Sequence, residues 1–191
     1  MTGARMATSV APEADVKRVL GFIAALACVA PHVAMAQQTA ANGDVAVSYS
    51  YLSAPAENVS LPAGWLVSAS RRLTGPLFVV GEVGGNYTFE DGDAVHFHTY
   101  QAGMRVGWFA PGQLPAYAQV LVGGATAGCC GEGATRLVIE PGFGVEVPVN
   151  DRTAVRAGIG FPLALGEDGP PVLVRAHVGV AFTLPRVQRS R

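Results

Sequence analysis

The sequence predicts an all-β fold, a single eight-stranded antiparallel up-and-down β-barrel after a cleaved signal peptide. Three observations carry this prediction. The first 36 residues have the pattern of an export leader, eight later runs alternate between apolar and polar residues, and no long segment of helical period follows the leader. The length of 191 residues suits one domain with one closed core.

The export leader has its three parts in the usual order. Lys17 and Arg18 form a positively charged start, 19–30 is an apolar run, and Ala34 and Ala36 fit a small-x-small cleavage pattern. The apolar run is too short to cross a bilayer as a helix, which takes about 20 residues. We therefore expect cleavage after Ala36.

The predicted organisation has four parts. A signal peptide covers 1–36, a short lead-in 37–43, the β-barrel 44–184 and a basic tail 185–191. The stretch before the basic pair of the leader is long and contains acidic residues, which is unusual for a leader. Whether translation starts at Met1, at Met6 or later stays open.

The composition is apolar and poor in charge. Half of the residues are hydrophobic and 14% are charged, against roughly a quarter charged in ordinary soluble domains. The formal net charge is −1, so we expect no nucleic acid partner. The single lysine, Lys17, lies in the leader, so every basic side chain of the barrel is arginine or histidine.

The eight alternating runs approach the length of roughly ten residues that a tilted membrane-spanning strand needs. They lie at 45–51, 65–72, 77–88, 101–108, 117–123, 136–147, 153–161 and 172–184. In the last three runs one face is apolar, and the other consists mainly of glycine and charged residues. Pro141 lies inside the sixth run and cannot donate a ladder hydrogen bond, so it predicts either a bulge or a shifted register there.

The connections between the runs separate acidic from basic residues. Connections after odd-numbered strands meet at one end of an up-and-down barrel, and there the sequence places acids without arginine. These acids are Glu57, Glu90, Asp91, Asp93, Glu132, Glu167 and Asp168. The tail returns to the opposite end with Arg186, Arg189 and Arg191. We therefore expect one acidic rim.

The charged face is also rich in glycine, and this decides its direction. Glycine weakens a strand, so a solvent-exposed face has little use for it. In the lumen of a narrow barrel glycine is useful, because it leaves room for long side chains. We therefore predict that this face points inward and forms a lumenal ion network, in which arginine pairs with carboxylates in a planar, two-pronged geometry. The predicted members are Arg72, Glu82, Arg105, Arg136, Glu140, Glu146, Arg156, Arg175 and His177.

The apolar face would then point to lipid. Aromatic residues lie near the strand ends on this face, as the girdles at membrane interfaces require. They are Tyr49, Tyr51, Trp65, Tyr87, Trp108, Phe161 and Phe182. The same alternation allows one alternative, a soluble periplasmic lipocalin-like ligand-binding barrel with its apolar face inside.

The last run carries a further pattern. It contains a polar residue, a glycine two positions later and two hydrophobic residues near its end, namely His177, Gly179, Phe182 and Leu184. This resembles the assembly signal of outer membrane barrels. It departs from that signal because 185–191 follow it, whereas the signal usually ends a protein.

Over 44–184 the chain resembles the OmpA-like outer membrane β-barrel superfamily. The stretches 81–87, 118–124 and 141–150 carry this likeness. The resemblance implies an eight-stranded barrel with lumenal charges in the bacterial outer membrane, and no particular activity. The partners that it implies are outer membrane lipid and the machinery that inserts outer membrane barrels; no surface partner is indicated.

Two adjacent cysteines, Cys129 and Cys130, remain after the leader is removed. An exported chain meets an oxidising environment, so a vicinal disulfide is one interpretation, although neighbouring Cα atoms lie closer than disulfide geometry prefers. Two small residues in a loop is the other, and we favour it. With no further Cys or His beside them, they do not predict a metal site.

No pattern predicts a metal, a cofactor or catalysis. His96 and His98 lie two residues apart on one face, but two ligands are too few for a metal site. The sequence has no nucleotide-binding loop, HExxH motif or Ser-His-Asp constellation. The nearest approach to a barrel enzyme is a histidine on the face that also carries four serines. These residues are His177, Ser48, Ser50, Ser68 and Ser70.

We therefore expect a structural, membrane-stabilising or surface-interaction role without catalysis. We also expect no wide pore, because side chains fill the lumen of an eight-stranded barrel. The soluble ligand-binding barrel and an outer membrane barrel enzyme stay as alternatives.

Overall fold

The computed structural model describes residues 42–55, 59–90, 93–108, 114–129, 132–165 and 173–184. Several predictions concern residues or side chains outside this part: the signal peptide with its cleavage site at Ala34 and Ala36, the lead-in, the basic tail, the acidic rim and the Cys129–Cys130 pair. These stay predictions. Among the described residues, no helix is long and apolar enough to cross a membrane.

The described residues form ten strands. Their bounds are β1 Gly43–Ala54, β2 Val59–Leu61, β3 Ala63–Thr74, β4 Leu77–Glu90, β5 Asp93–Trp108, β6 Ala116–Cys129, β7 Glu132–Asn150, β8 Thr153–Gly160, β9 Leu163–Ala164 and β10 Val174–Leu184. Two of the breaks lie at prolines: Pro62 separates β2 from β3, and Pro162 lies between β8 and β9. Proline lacks the N–H that a ladder needs. On both sides of each break the chain pairs with the same neighbouring strand. The ten strands therefore form eight continuous barrel strands, which we call staves.

Every ladder is antiparallel, and the sheet closes on itself. Each stave pairs with the next one along the chain, and β10 pairs with β1 from Gly43↔Leu184 to Ser53↔Val174. The predicted fold class, an all-β antiparallel up-and-down barrel, is confirmed. We call the end of the barrel with Gly43 and Leu184 the near end, and the opposite end the far end.

The backbone conformation of the near-end turn between β3 and β4 explains why glycine and proline occur there. Gly75 has a φ of 48°, a left-handed conformation that glycine adopts at low cost, and Pro76 follows it. The neighbouring ladder shifts register between Arg72 and Thr74. The predicted irregularity at Pro141 is absent: Pro141 pairs with Val120 in an unbroken ladder, and its carbonyl accepts a hydrogen bond from the Phe161 N–H at 2.9 Å.

The two faces of the strands have opposite chemistry. Arg156 and Arg175 point inward and are only 2% and 1% exposed, whereas Val178 and Phe182 point outward and are 44% and 50% exposed. This is the orientation predicted from the glycines. A barrel with its apolar face inside would give the reverse.

The far end of the lumen contains a cluster of buried hydrophobic side chains that was not predicted from the sequence, and we call this cluster the apolar plug. Its buried members are Leu52, Leu61, Phe97, Ala125, Val138 and Ala164. Val59, Val95 and Leu173 pack against them. The inward face is therefore charged and polar only from the near end to about the middle of the barrel.

The apolar plug also explains why the first half of β5 was not predicted as part of a strand. The fourth run was predicted to begin at 101, but β5 begins at Asp93. In its first half the apolar Val95 and Phe97 point into the plug, while His96 and His98 point outward. The polar and apolar faces are thus reversed there, and the alternation did not match the rest of the chain.

Candidate functional site: the lumenal charge network

The lumen carries two layers of charge. The near layer consists of Asp44, Arg105, Glu146 and Arg156, and the central layer of Glu82, Glu140 and Arg175. The seven side chains come from β1, β4, β5, β7, β8 and β10, and the barrel brings them together because all lie on inward-facing strand positions.

Arg156 is the centre of the near layer. Its Nη2 lies 2.6 Å from Asp44 Oδ1 and 2.6 Å from Glu146 Oε1, and its Nε donates to the same Glu146 oxygen at 2.8 Å. Its Nη1 donates to Ser68 Oγ at 3.2 Å. Glu146 faces Arg156 directly across the β7–β8 ladder, whereas Asp44 contacts it from β1, on the far side of β10.

Arg105 is the second cation of the near layer and is bound less completely. Its Nε donates to Gln119 Oε1 at 3.0 Å, across the β5–β6 ladder, and its guanidinium carbon lies 4.5 Å from the centre of the Tyr117 ring. Its Nη1 is 3.7 Å from Asp44 Oδ2 and makes no hydrogen bond among the described residues.

Arg175 connects the two carboxylates of the central layer. Its Nη1 lies 3.1 Å from Glu140 Oε2 and 3.8 Å from Glu82 Oε1, and its Nη2 donates to Thr99 Oγ1 at 3.3 Å. One guanidinium therefore serves two carboxylates. Such a buried group is tolerable only when paired and hydrogen-bonded.

Glycine makes room for this layer. A Cβ at Gly160 would lie 2.3 Å from Glu140 Oε1, closer than any side chain permits. The carboxylate of Glu140 thus occupies the space that a side chain at position 160 would need. This is the role that the sequence analysis assigned to inward-facing glycine.

The predicted members of the network fall into three groups. Six of them meet in the two charge layers: Glu82, Arg105, Glu140, Glu146, Arg156 and Arg175. Two lie beside the layers. His177 Nε2 is 3.2 Å from Tyr117 Oη, and Arg72 donates to the Gly75 carbonyl at 2.9 Å with its guanidinium 4.8 Å from the Phe78 ring.

Arg136 does not join them. β7 extends past Val138, which pairs with the last residue of β9, Ala164, and Arg136 is exposed beyond that point. Its predicted place in the lumenal network is wrong, because alternation gives the direction of a side chain but not its height in the barrel.

One charged member of the network, Asp44, was not among the predicted residues. Asp44 is the first residue of the predicted barrel and lies two positions before the inward-facing Ala46, so its parity already indicated the lumen. It was used only as a boundary. In the structure it contacts both near-layer arginines and accepts a hydrogen bond from Ser70 Oγ at 2.5 Å.

Three of the four predicted lumenal serines, Ser50, Ser68 and Ser70, bind the charge network or its polar surroundings. Ser68 accepts from Arg156, Ser70 donates to Asp44, and Ser50 donates to Asn86 Oδ1 at 3.2 Å. Ser50 faces His177 across the β1–β10 ladder, but its hydroxyl is bonded to Asn86. None of these three hydroxyls is paired with His177 as a nucleophile with its base would be.

The outward His96 and His98 contact each other and an aromatic side chain. Their rings are 5.0 Å apart, and His98 Nε2 is 2.9 Å from Tyr87 Oη. Across the described residues, no group of three or more His, Cys, Asp or Glu is arranged to hold a metal ion.

The outer surface is apolar and aromatic. Of the residues predicted to form girdles, five are exposed and two, Tyr87 and Phe161, are half-buried. The exposed ones are Tyr49, Tyr51, Trp65, Trp108 and Phe182. In the last strand, His177 and Gly179 of the predicted assembly signal point inward, while Phe182 and Leu184 point outward. Whether the insertion machinery reads them stays a prediction.

No protein-family profile matches the sequence, and no curated protein matches it significantly. Solved structures do match. Neisserial surface protein A (NspA) is 13% identical with a TM-score of 0.57, and the match covers 74% of this chain and 96% of that one. The N-terminal β-barrel domain of Pseudomonas aeruginosa OprF is 12% identical with a TM-score of 0.53, over 74% and 97% of the two chains.

A third match is Ail, the attachment invasion locus protein of Yersinia pestis, in complex with the heparin analogue sucrose octasulfate. It is 13% identical with a TM-score of 0.51, over 74% of this chain and 96% of that one. Ail in a phospholipid bilayer nanodisc matches with a TM-score of 0.50. At these identities the likeness concerns the fold, which is that of the OmpA-like small outer membrane β-barrels.

Proposed function

We propose that this chain is an exported β-barrel of the bacterial outer membrane with a structural, membrane-stabilising or surface-interaction role and no catalysis. One observation carries the proposal: large apolar side chains cover the outside of the barrel, while arginines and carboxylates are buried inside it. A protein surrounded by water has the opposite arrangement.

Contact with lipid would explain why the outer surface is apolar. The exposed apolar residues come from every stave and include Val47, Val83, Val120, Phe143 and Val180. Soluble monomers rarely expose contiguous apolar patches larger than a few hundred Å². Acyl chains would remove this surface from water, with aromatic side chains at the interfaces.

The lumen favours a structural role over transport. Two layers of paired charges occupy its near half and centre, and the apolar plug occupies its far end. Small barrels of eight strands are filled by their own side chains. The network would then stabilise the barrel by linking strands that are mostly not adjacent in the sheet, and would not conduct a solute.

The proposed partners are outer membrane lipid and the barrel-insertion machinery, which would read the last strand. A surface role has support from the neighbours, since one is called a surface protein and another an attachment invasion locus protein. The surface partner is not identified by any residue of this chain.

Cell fractionation combined with gel mobility tests the proposal. We expect the protein in the outer membrane fraction, extractable only with detergent, and migrating differently on denaturing gels before and after boiling because the folded barrel resists the detergent. A protein that is released in buffer and unaffected by boiling would instead favour the soluble ligand-binding barrel. Hydrolysis of an ester or lipid that is lost in His177→Ala with the heat-dependent mobility retained would favour the barrel enzyme.

A further inference from the structure

The near end of the lumen contains a small cavity of about 40 Å³. Gly43, Pro115 and Thr183 lie around it at strand ends, and Asp44, Arg72, Arg105, Tyr117 and Glu146 supply its polar and aromatic wall. The central charge layer and the apolar plug separate it from the far end.

The carboxylates of the cavity wall are already satisfied. Asp44 Oδ1 and Glu146 Oε1 each lie 2.6 Å from Arg156 Nη2, and Asp44 Oδ2 accepts from Ser70. Arg156 therefore serves both carboxylates of the near layer. Neither of them depends on Arg105 for a hydrogen bond.

Of the two near-layer arginines, Arg105 is the one with a buried N–H group that lacks an acceptor among the described residues. It is only 4% exposed, and two of its interactions, with Gln119 and the Tyr117 ring, are with neutral groups. Its Nη1 lies 3.7 Å from Asp44 Oδ2 and makes no hydrogen bond within the described part of the chain. A buried charged donor without an acceptor is strongly unfavourable, so an acceptor in addition to the described side chains is expected.

We infer that the cavity binds one small monovalent anion, of the size of chloride, with Arg105 Nη1 as its main donor. The volume holds roughly three water molecules, which leaves room for a halide with a water and excludes a peptide or nucleotide. A divalent anion is disfavoured because Asp44 and Glu146 share the wall and would repel its second charge. Arg72 adds a second positive charge to the wall.

Urea unfolding of the purified barrel in phospholipid vesicles tests this site, in sodium chloride and in sodium gluconate at equal ionic strength. Gluconate is too large for the cavity. Chloride is expected to raise the folding equilibrium constant by the factor 1 + [Cl⁻]/Kd, about elevenfold at ten times Kd. The difference between the two salts should vanish in Arg105→Gln and persist in the control Arg136→Gln, whose side chain is exposed.

Comparison between variants removes general salt effects on folding, since these act on all of them alike. Equal stability of the wild type in both salts would overturn the inference and leave water as the occupant. A chloride effect that survives in Arg105→Gln would overturn it too.

If Arg105→Gln does not fold, Ala181→Val replaces it. Ala181 lines the cavity and is buried, so the larger side chain fills space while Arg105 and its partners remain. We expect this variant to lose the chloride effect. Crystals soaked in bromide give an independent measurement, in which an anomalous peak at hydrogen-bonding distance from Arg105 Nη1 is expected; bromide bound only elsewhere contradicts the site. This result does not depend on the proposed role of the barrel in the membrane.

Discussion

Arg175 Nη1 lies 3.1 Å from Glu140 Oε2 at the centre of the barrel, and the two side chains are 1% and 4% exposed. They belong to β10 and β7, which are separated in the sheet by β8, so the pair bridges over Gly160 on the inner face. Both side chains are thus almost fully shielded from bulk solvent. The ion pair therefore behaves as a buried one, for which loss of a single partner is far more harmful than loss of both.

Arg175→Met should destabilise the barrel by about 3–5 kcal/mol, because it leaves Glu140 and Glu82 buried without their shared guanidinium. Adding Glu140→Gln should restore part of that loss, with a coupling of about 1–3 kcal/mol. Urea unfolding in vesicles measures both. The matched control is Arg136→Met, at an exposed position, where we expect a change within about 0.5 kcal/mol. Similar small effects at both arginines would contradict a buried network.

Most of the barrel could be predicted from the sequence, because a period of two residues fixes which face each side chain occupies once strands are long enough. The eight runs, and the shared face of Arg105, Arg156 and Arg175, follow from that period, and the glycines on the same face indicate that it points inward. The rule that apolar residues point outward fails at 93–100, where Val95 and Phe97 point inward.

The partners inside the lumen could not be predicted in the same way. Glu146 and Arg156 meet across adjacent strands, but Asp44 and Arg156 are 112 positions apart and meet only because the sheet closes. Such a contact depends on the strand tilt and stagger of the whole barrel, which no local pattern encodes. The same information decides that Arg136 lies outside and Arg175 at the centre.

The stability lost when an arginine is placed on the outer surface should depend on its depth in the bilayer. Val47 and Val149 are similarly exposed, at 53% and 56%, but Val47 lies in the middle of β1 and Val149 beside the turn after β7. Val47→Arg is expected to cost about 2–4 kcal/mol and Val149→Arg about 0–1 kcal/mol in lipid vesicles. A barrel in water would tolerate both substitutions equally, so equal, small losses would argue against a lipid-facing surface.

Two glycines offer a matched test of the space inside and outside the barrel. Gly160→Ala places a methyl group 2.3 Å from the Glu140 carboxylate and must displace it from Arg175, so a loss of about 1–3 kcal/mol is expected. Gly81→Ala meets no atom within 4 Å on the outer face. It should be neutral or stabilising by up to about 1 kcal/mol, because alanine restricts the unfolded chain. Unfolding midpoints of the two variants decide this, and a larger loss at Gly81 would reverse the assigned faces.

The apolar plug should contribute stability without being the only barrier in the lumen. Phe97→Ala removes a buried ring from the plug and is expected to cost about 3–5 kcal/mol, whereas Phe97→Leu, which retains most of the volume, should cost less than about 1.5 kcal/mol. Arg175, Glu140 and Glu82 still fill the centre in both variants. Current across planar bilayers should therefore stay at the level of the bare membrane for the wild type and for Phe97→Ala. Steady ion-conducting steps in Phe97→Ala would mean that the plug alone closes the barrel and that the charged layers leave a continuous path.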